Sequence, residues 1–231
     1  MKLHWDILDD KRKSILPLLK NFSKDGFYLV GGTGLALQLG HRDSEDFDFI
    51  RKEKFDTLRM KRKLEEIFKE HHIKFTQEEE NTVSVDIDHS VKLSFIGNYD
   101  YLLLNPTIET EYFNIASEED IACMKLQAII GRSVEKDWAD LYYILQKTSL
   151  QNLLKNCEIK YPTSNKYTVL KALNYFNELK LGGVMYKEGF KLSWKKMQKF
   201  FEKIVTEYLR QQQLEEIRKR KEQNRSRDIE R

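Results

Sequence analysis

Asp46 and Asp48 flank Phe47 in the alternating run Asp46-Phe47-Asp48-Phe49-Ile50, which reads as a half-buried strand. Residues two apart on a strand project from one side, so the carboxylates share a face and the phenylalanines turn to the core. Like charges held side by side call for a cation. A hard divalent ion that prefers oxygen and needs few protein ligands answers best, and it brings phosphate oxygens with it. Upstream stands Gly31-Gly32-Thr33. Glycines let a phosphate approach the main chain, a helix starting near Thr33 offers free N–H groups and its positive end, and the Thr33 hydroxyl can donate to a phosphate oxygen. Either feature alone also suits an ordinary strand stop or a solvated strand. Together, in this order and spacing, they point to a nucleoside triphosphate (NTP) held with a metal.

The elements that would position these groups are legible as alternating periods. Apolar residues recur at helical spacing from Leu3 to Leu19, and Phe27-Tyr28-Leu29-Val30 is β-prone and halted by the two glycines. Leu35 to Leu39 is a short helix with Gly40 as its terminator, and polar His41-Arg42-Asp43-Ser44 leads into the acidic strand. His41 and Arg42 are placed to touch phosphate or base. Residues 54–69 are helical by spacing, while 82–87 and 91–96 alternate around Asp88-His89-Ser90 and form a hairpin. Ser117-Glu118-Glu119-Asp120 is a helix start with acids at the positive end. From there on the spacing is helical, punctuated by Pro162 and Gly182-Gly183, with a regular apolar repeat from Trp194 to Leu209. The expected fold is therefore α+β: an N-terminal domain over 1–116, a small mixed sheet flanked by helices, followed by a helical bundle over 117–231 with a charged tail.

Lys125 and Arg132 are seven residues apart, almost two turns, so one helix face presents both to a nucleotide. Lys125 can bind phosphate oxygens and offset charge as pyrophosphate departs. Asp137 and Asp140 share a face three residues apart. Asp140 can pair with Lys125 or Arg132, orient either, or help activate an acceptor hydroxyl; a solvated charge cluster would look the same.

The run from Gly31 to Phe49 resembles the first motif of the AbiEii/AbiGii toxin family, within the DNA polymerase β-like nucleotidyltransferase superfamily. The resemblance continues through Glu119 to Ala128, Arg132, and Lys136-Asp137-Trp138-Ala139-Asp140-Leu141, and spans about residues 28–145. It implies a nucleotidyltransferase fold, with Asp46 and Asp48 binding metal, Mg²⁺ or Mn²⁺. Gly31, Gly32, Thr33, Arg42, Lys125 and Arg132 would bind nucleotide, and Lys125 and Asp140 would complete the catalytic set with Asp46 and Asp48. It also implies transfer from an NTP to an RNA acceptor such as tRNA, with release of pyrophosphate, and a cognate antitoxin partner. Where superfamily members carry a third metal-binding carboxylate, this chain has Ser94. Asp86 and Asp88 are the candidate substitutes, although an aspartate in a turn usually serves the turn. Two alternatives stay open: a non-catalytic nucleotide- or partner-binding module, and a transferase acting on small molecules.

Bulk properties exclude several classes. With 40 basic and 37 acidic residues among 231, the net charge of +3 describes no polycation, so any nucleic-acid contact must be local. The cluster Arg218-Lys219-Arg220-Lys221 with Arg225 and Arg227 is one such place, though its interleaved glutamates also suit a solvated face. No apolar run approaches roughly twenty residues, and the N-terminus has no signal-peptide pattern, so a cytoplasmic protein without membrane contact is expected. Cys123 and Cys157 suit packing, and His71, His72 and His89 lack metal-site spacing.

Overall fold

The computed structural model describes residues 2–176, 179 and 181–229, with side chains through 223. A 3-10 turn at Trp5–Ile7 precedes α1 (Asp10–Ser23), where one helix was expected to run from Leu3. The break is local chemistry: Asp9 caps α1 by accepting the Arg12 N–H at 2.9 Å. β1 (Tyr28–Val30) is wholly buried and passes directly into α2 (Gly31–Leu39), which begins two residues earlier than expected. The left-handed Gly31, φ 68°, makes so abrupt a turn possible. Gly40, φ 67°, ends α2 and donates its N–H to the Ala36 carbonyl at 2.8 Å.

β2 (Asp46–Ile50) follows, then α3 (Thr57–Ile67), β3 (Ile73–Glu79), β4 (Thr82–Ile87), β5 (Val91–Ile96) and β6 (Asn114–Ile115). They form one mixed sheet in the order β3-β4-β5-β2-β1-β6. The hairpin between β4 and β5 turns through Asp88 and His89, both at positive φ. β3 and β6 escaped the sequence reading. Only Ile73 and Phe75 give β3 an apolar face before it runs into Gln77-Glu78-Glu79, which is how an edge strand avoids pairing with a stranger. β6 is two residues long and is defined by its parallel pairing with β1.

α4 (Glu118–Gly131), α5 (Glu135–Ile144), α6 (Leu150–Lys160), α7 (Lys166–Leu173) and α8 (Trp194–Ile229) complete the chain. The Ser117 cap forms as expected, its hydroxyl accepting the Asp120 N–H at 3.1 Å. One apolar core lies between the sheet and α1 and α3, and includes Phe22, Phe47, Phe49 and Phe95. A second is built around Trp138 by the C-terminal helices and reaches back to Tyr28, Val30, Leu35, Leu39 and Ile50. α2 serves both, through Ala36 and Leu37 on one side and Leu35 and Leu39 on the other. That double packing holds the end of the acidic strand against the helices.

In α8, Met197, Phe201, Val205 and Tyr208 are buried; beyond them the helix is largely exposed through residue 223. Arg225 and Arg227 lie outside the residues whose side chains are described. Cys123 and Cys157 are buried free thiols. Among the described residues no helix is long and apolar enough to cross a membrane.

Candidate active site

Phe47 and Phe49 are fully buried, while Asp46 is exposed and Asp48 half-buried on the opposite face of β2. Antiparallel pairing sets Asp48 against Val30, the last residue before the glycine turn. A Cβ built on Gly31 would stand 2.7 Å from Asp48 Oδ2, and one on Gly32 would run into Arg42 Nη2. The glycines thus admit two of the protein's own side chains to the main chain. Val30, which caps α2, offers no side-chain hydrogen bond to its first turn. The N-terminus of α2 beside Asp48 therefore meets the requirement for anion binding.

Thr33 behaves differently from expectation. It is 1% exposed; its hydroxyl donates to the Asp46 carbonyl and shares a 2.8 Å hydrogen bond with Ser44 Oγ. It fastens the turn to the strand, and the hydroxyl is thereby engaged within the protein.

In parallel register with β5, Asp46 lies beside Lys92 and Asp48 beside Ser94; across β5 and β4, Lys92 meets Asp86 and Ser94 meets Ser84. Ser84 and Ser94 are joined at 3.2 Å. The position of a third carboxylate therefore holds a neutral hydroxyl. Asp86 is separated from Asp46 by the Lys92 column. Asp88 accepts the His72 N–H at 2.8 Å and contacts His71 at 2.7 Å, so it serves its turn. Lys92 was missed because no periodicity tells which strand will lie beside β2.

Burial first, and then the charge of Asp46, raise the Asp48 acid above the usual carboxylate range, against the opposing pull of Lys125, Lys92 and Arg132. Two carboxylates on one face, one of them resisting ionisation, fit a hard divalent cation that takes its remaining ligands from water and phosphate. No cluster of three or more His, Cys, Asp or Glu side chains able to hold a metal occurs among the described residues, so such a site rests on Asp46 and Asp48 alone.

Behind this face lies a buried network. Asp140 is 0% exposed and receives Arg42 Nε at 2.7 Å, Arg42 Nη2 at 2.9 Å and Lys125 Nζ at 2.6 Å, with His41 Nε2 also at 2.7 Å. Lys125 reaches Asp137 at 2.7 Å as well, and Arg132 holds Asp137 through Nε at 2.7 Å and Nη2 at 3.1 Å. Burial alone would raise both acids. The charges of Arg42 and Lys125 and the hydrogen bonds from His41 and Arg42 reverse this and hold Asp140 well below the usual range. Lys125 and Arg132 likewise hold Asp137 down. Burial lowers the His41 pKa despite Asp140.

Several sequence expectations change here. Asp140 pairs with Lys125 but takes Arg42 in place of Arg132, and as a fully buried, strongly acidic carboxylate it is poorly suited to act as a base. Asp137 and Asp140 are far from a solvated cluster. His41 and Arg42 are turned inward onto Asp140. Arg132 is the non-helical, extended C-cap of α4, so it does not continue a helical stripe with Lys125; the two converge on Asp137 instead. Its side chain is 61% exposed and can reach a ligand.

Comparison with known proteins accords with this architecture. Residues 17–228 match the model of the nucleotidyl transferase AbiEii toxin family, a type IV toxin–antitoxin system. An uncharacterised protein of Aquifex aeolicus is 33% identical over 188 residues, covering 79% of this chain and 88% of its own. Among solved structures, the nucleotidyltransferase toxin MenT4 of Mycobacterium tuberculosis is similar with a TM-score of 0.55 and 12% identity, over 85% of this chain and 82% of its own. A Helicobacter pylori protein provisionally assigned as a nucleotidyltransferase has a TM-score of 0.53 and 19% identity, over 91% and 99%. At these identities the structural likenesses bear on the fold, whereas the family match spans nearly the whole sequence. The chain belongs to the AbiEii toxin family and is a nucleotidyltransferase.

Proposed function

We propose that this nucleotidyltransferase moves a nucleotide from an NTP to a hydroxyl of an RNA acceptor, tRNA foremost, using Mg²⁺ or Mn²⁺ held by Asp46 and Asp48. The observation that carries the reading is the placement of both carboxylates on one face of β2, with Asp48 against the Gly31 main chain at the uncapped N-terminus of α2. When bound, the metal would neutralise the carboxylates and the phosphate charge.

The first-turn N–H groups of α2 would receive phosphate oxygens, and Arg132 and Lys125 would offset the charge that accumulates as pyrophosphate leaves. The acceptor oxygen forms its bond to the α-phosphorus as the bond to the β-phosphate oxygen breaks; the electron pair leaves with pyrophosphate and the hydroxyl proton goes to water. Asp140, Arg42 and His41 touch none of the reacting atoms: they set the position of Lys125. The acceptor assignment rests on the family's toxin chemistry, and the same membership supports a cognate antitoxin as partner.

The test is transfer of label from each α-phosphate-labelled NTP with Mg²⁺ to total tRNA, to protein and to small acceptors, with Asp48→Asn as control. Label in tRNA that requires Asp48 supports the proposal. Label in another acceptor overturns the RNA assignment, and nucleotide binding without label anywhere favours a non-catalytic module.

A further inference from the structure

Arg132 has two sides. Nε and Nη2 hold Asp137, while Nη1 makes no hydrogen bond among the described residues. Its charge and that of Asp48 act on one another, so the guanidinium stands within electrostatic reach of the acidic strand. It also lines a cavity of about 660 Å³ between the C-terminal end of α4 and α7. That volume falls in the range of small-molecule sites.

The lining is chemically selective. Among the described residues its charged members are Arg132 and Lys171, with no carboxylate. The Lys171 ammonium has no ion-pair or hydrogen-bond partner among the described residues, and the hydroxyls of Ser133 and Thr168 make no hydrogen bonds there either. Ile130, 39% exposed, and Tyr175, 41% exposed, supply an aliphatic and an aromatic surface. A Cβ on Gly131 would meet nothing within 4 Å, so the rim is open on that side. A cleft with two cations, two hydroxyls and an aromatic wall suits a ligand that joins a phosphate to a flat ring.

We propose that this cleft is a nucleotide subsite: Arg132 and Lys171 take a phosphate, Ser133 and Thr168 bond to sugar or base, and the base lies on Ile130 and Tyr175. The nucleotide is either the nucleoside end of the incoming NTP or the terminal nucleotide of the acceptor. The inference rests on the triphosphate lying at Asp46 and Asp48, because Arg132 is the link between that face and the cleft.

The experiment is equilibrium binding of two probes without turnover: a fluorescent NTP analogue with Mg²⁺, and a fluorescein-labelled single-stranded oligoribonucleotide. The variants are Lys171→Glu and Thr168→Val, with Lys11→Glu on α1 as a control for net charge; all three positions are exposed, and melting curves check folding. Lys171→Glu is expected to weaken one probe about tenfold or more, with Thr168→Val weakening the same probe to a lesser extent. Loss confined to the oligoribonucleotide assigns the acceptor's terminal nucleotide, and loss of NTP affinity assigns the donor. If Lys171→Glu matches Lys11→Glu on both probes, the subsite is overturned. A protein that keeps the Lys171 dependence yet transfers no label to RNA would fail the acceptor reading while leaving the cleft in place.

Discussion

Gly31 and Asp48 stand so close that a single methyl group on the glycine would lie 2.7 Å from the carboxylate oxygen. Space and conformation are both restrictive, because Gly31 also adopts φ 68°. Gly31→Ala should therefore lose stability by roughly 1–3 kcal/mol, the usual cost of a non-glycine residue in this region. It should also push Asp48 off its position and reduce transfer by at least about tenfold. Urea denaturation and the labelled-transfer assay measure the two losses, and an unchanged transfer rate would sever the turn from the site.

Asp48→Asn is expected to abolish transfer and yet raise the melting temperature of the metal-free protein. The folded-state pKa of Asp48 is raised, so the folded protein holds this proton where the unfolded chain, titrating near about 3.9, has released it. Stability consequently falls as pH rises through that window, and asparagine removes the loss. Melting curves over a pH series should show the advantage of the variant growing with pH through that window. Mg²⁺ should stabilise the wild type and leave the variant unchanged.

Asp140 carries the opposite sign. Its depressed pKa contributes stability that is present above the unfolded carboxylate value and is lost as pH falls through the folded one. Asp140→Ala leaves Arg42, 2% exposed, and Lys125, 6% exposed, without their shared carboxylate. Breaking a buried pair in this way costs about 3–5 kcal/mol. Denaturation at pH 7 measures that loss. Adding Arg42→Ala should cost much less than the sum of the single changes, because the two residues act as one unit.

Arg132→Ala separates ligand binding from folding. The side chain is 61% exposed and Asp137 keeps Lys125, so stability should change by less than about 1 kcal/mol. The KM for NTP should rise about tenfold, as expected on losing a charge-assisted contact to phosphate. Steady-state kinetics alongside melting curves would reveal the split; a collapse in stability with an unchanged KM would count against it.

Part of this site follows from local rules alone. Alternation assigns the faces of Asp46 to Ile50, glycine chemistry places the turns at Gly31 and Gly40, and the Ser117 cap starts α4, because each depends on neighbours a few residues away. The strand order, by contrast, is a choice among sheet partners. It set Lys92 beside Asp46, next to the Ser94 that the resemblance had already placed at the third-carboxylate position. The roles of Thr33, His41 and Arg42 were equally invisible, since a polar residue in a loop looks the same whether it faces water or a buried acid.

What decided between those outcomes was desolvation. Arg42 and Asp140 are 98 positions apart in the chain. Once α2 is packed against both cores, either charge would be costly to bury without the other. The sequence by itself determined the acidic strand, the glycine turn and the helical lysine. Only the tertiary structure decided which charged groups are buried together and which stay exposed, because that depends on which groups lose their water together.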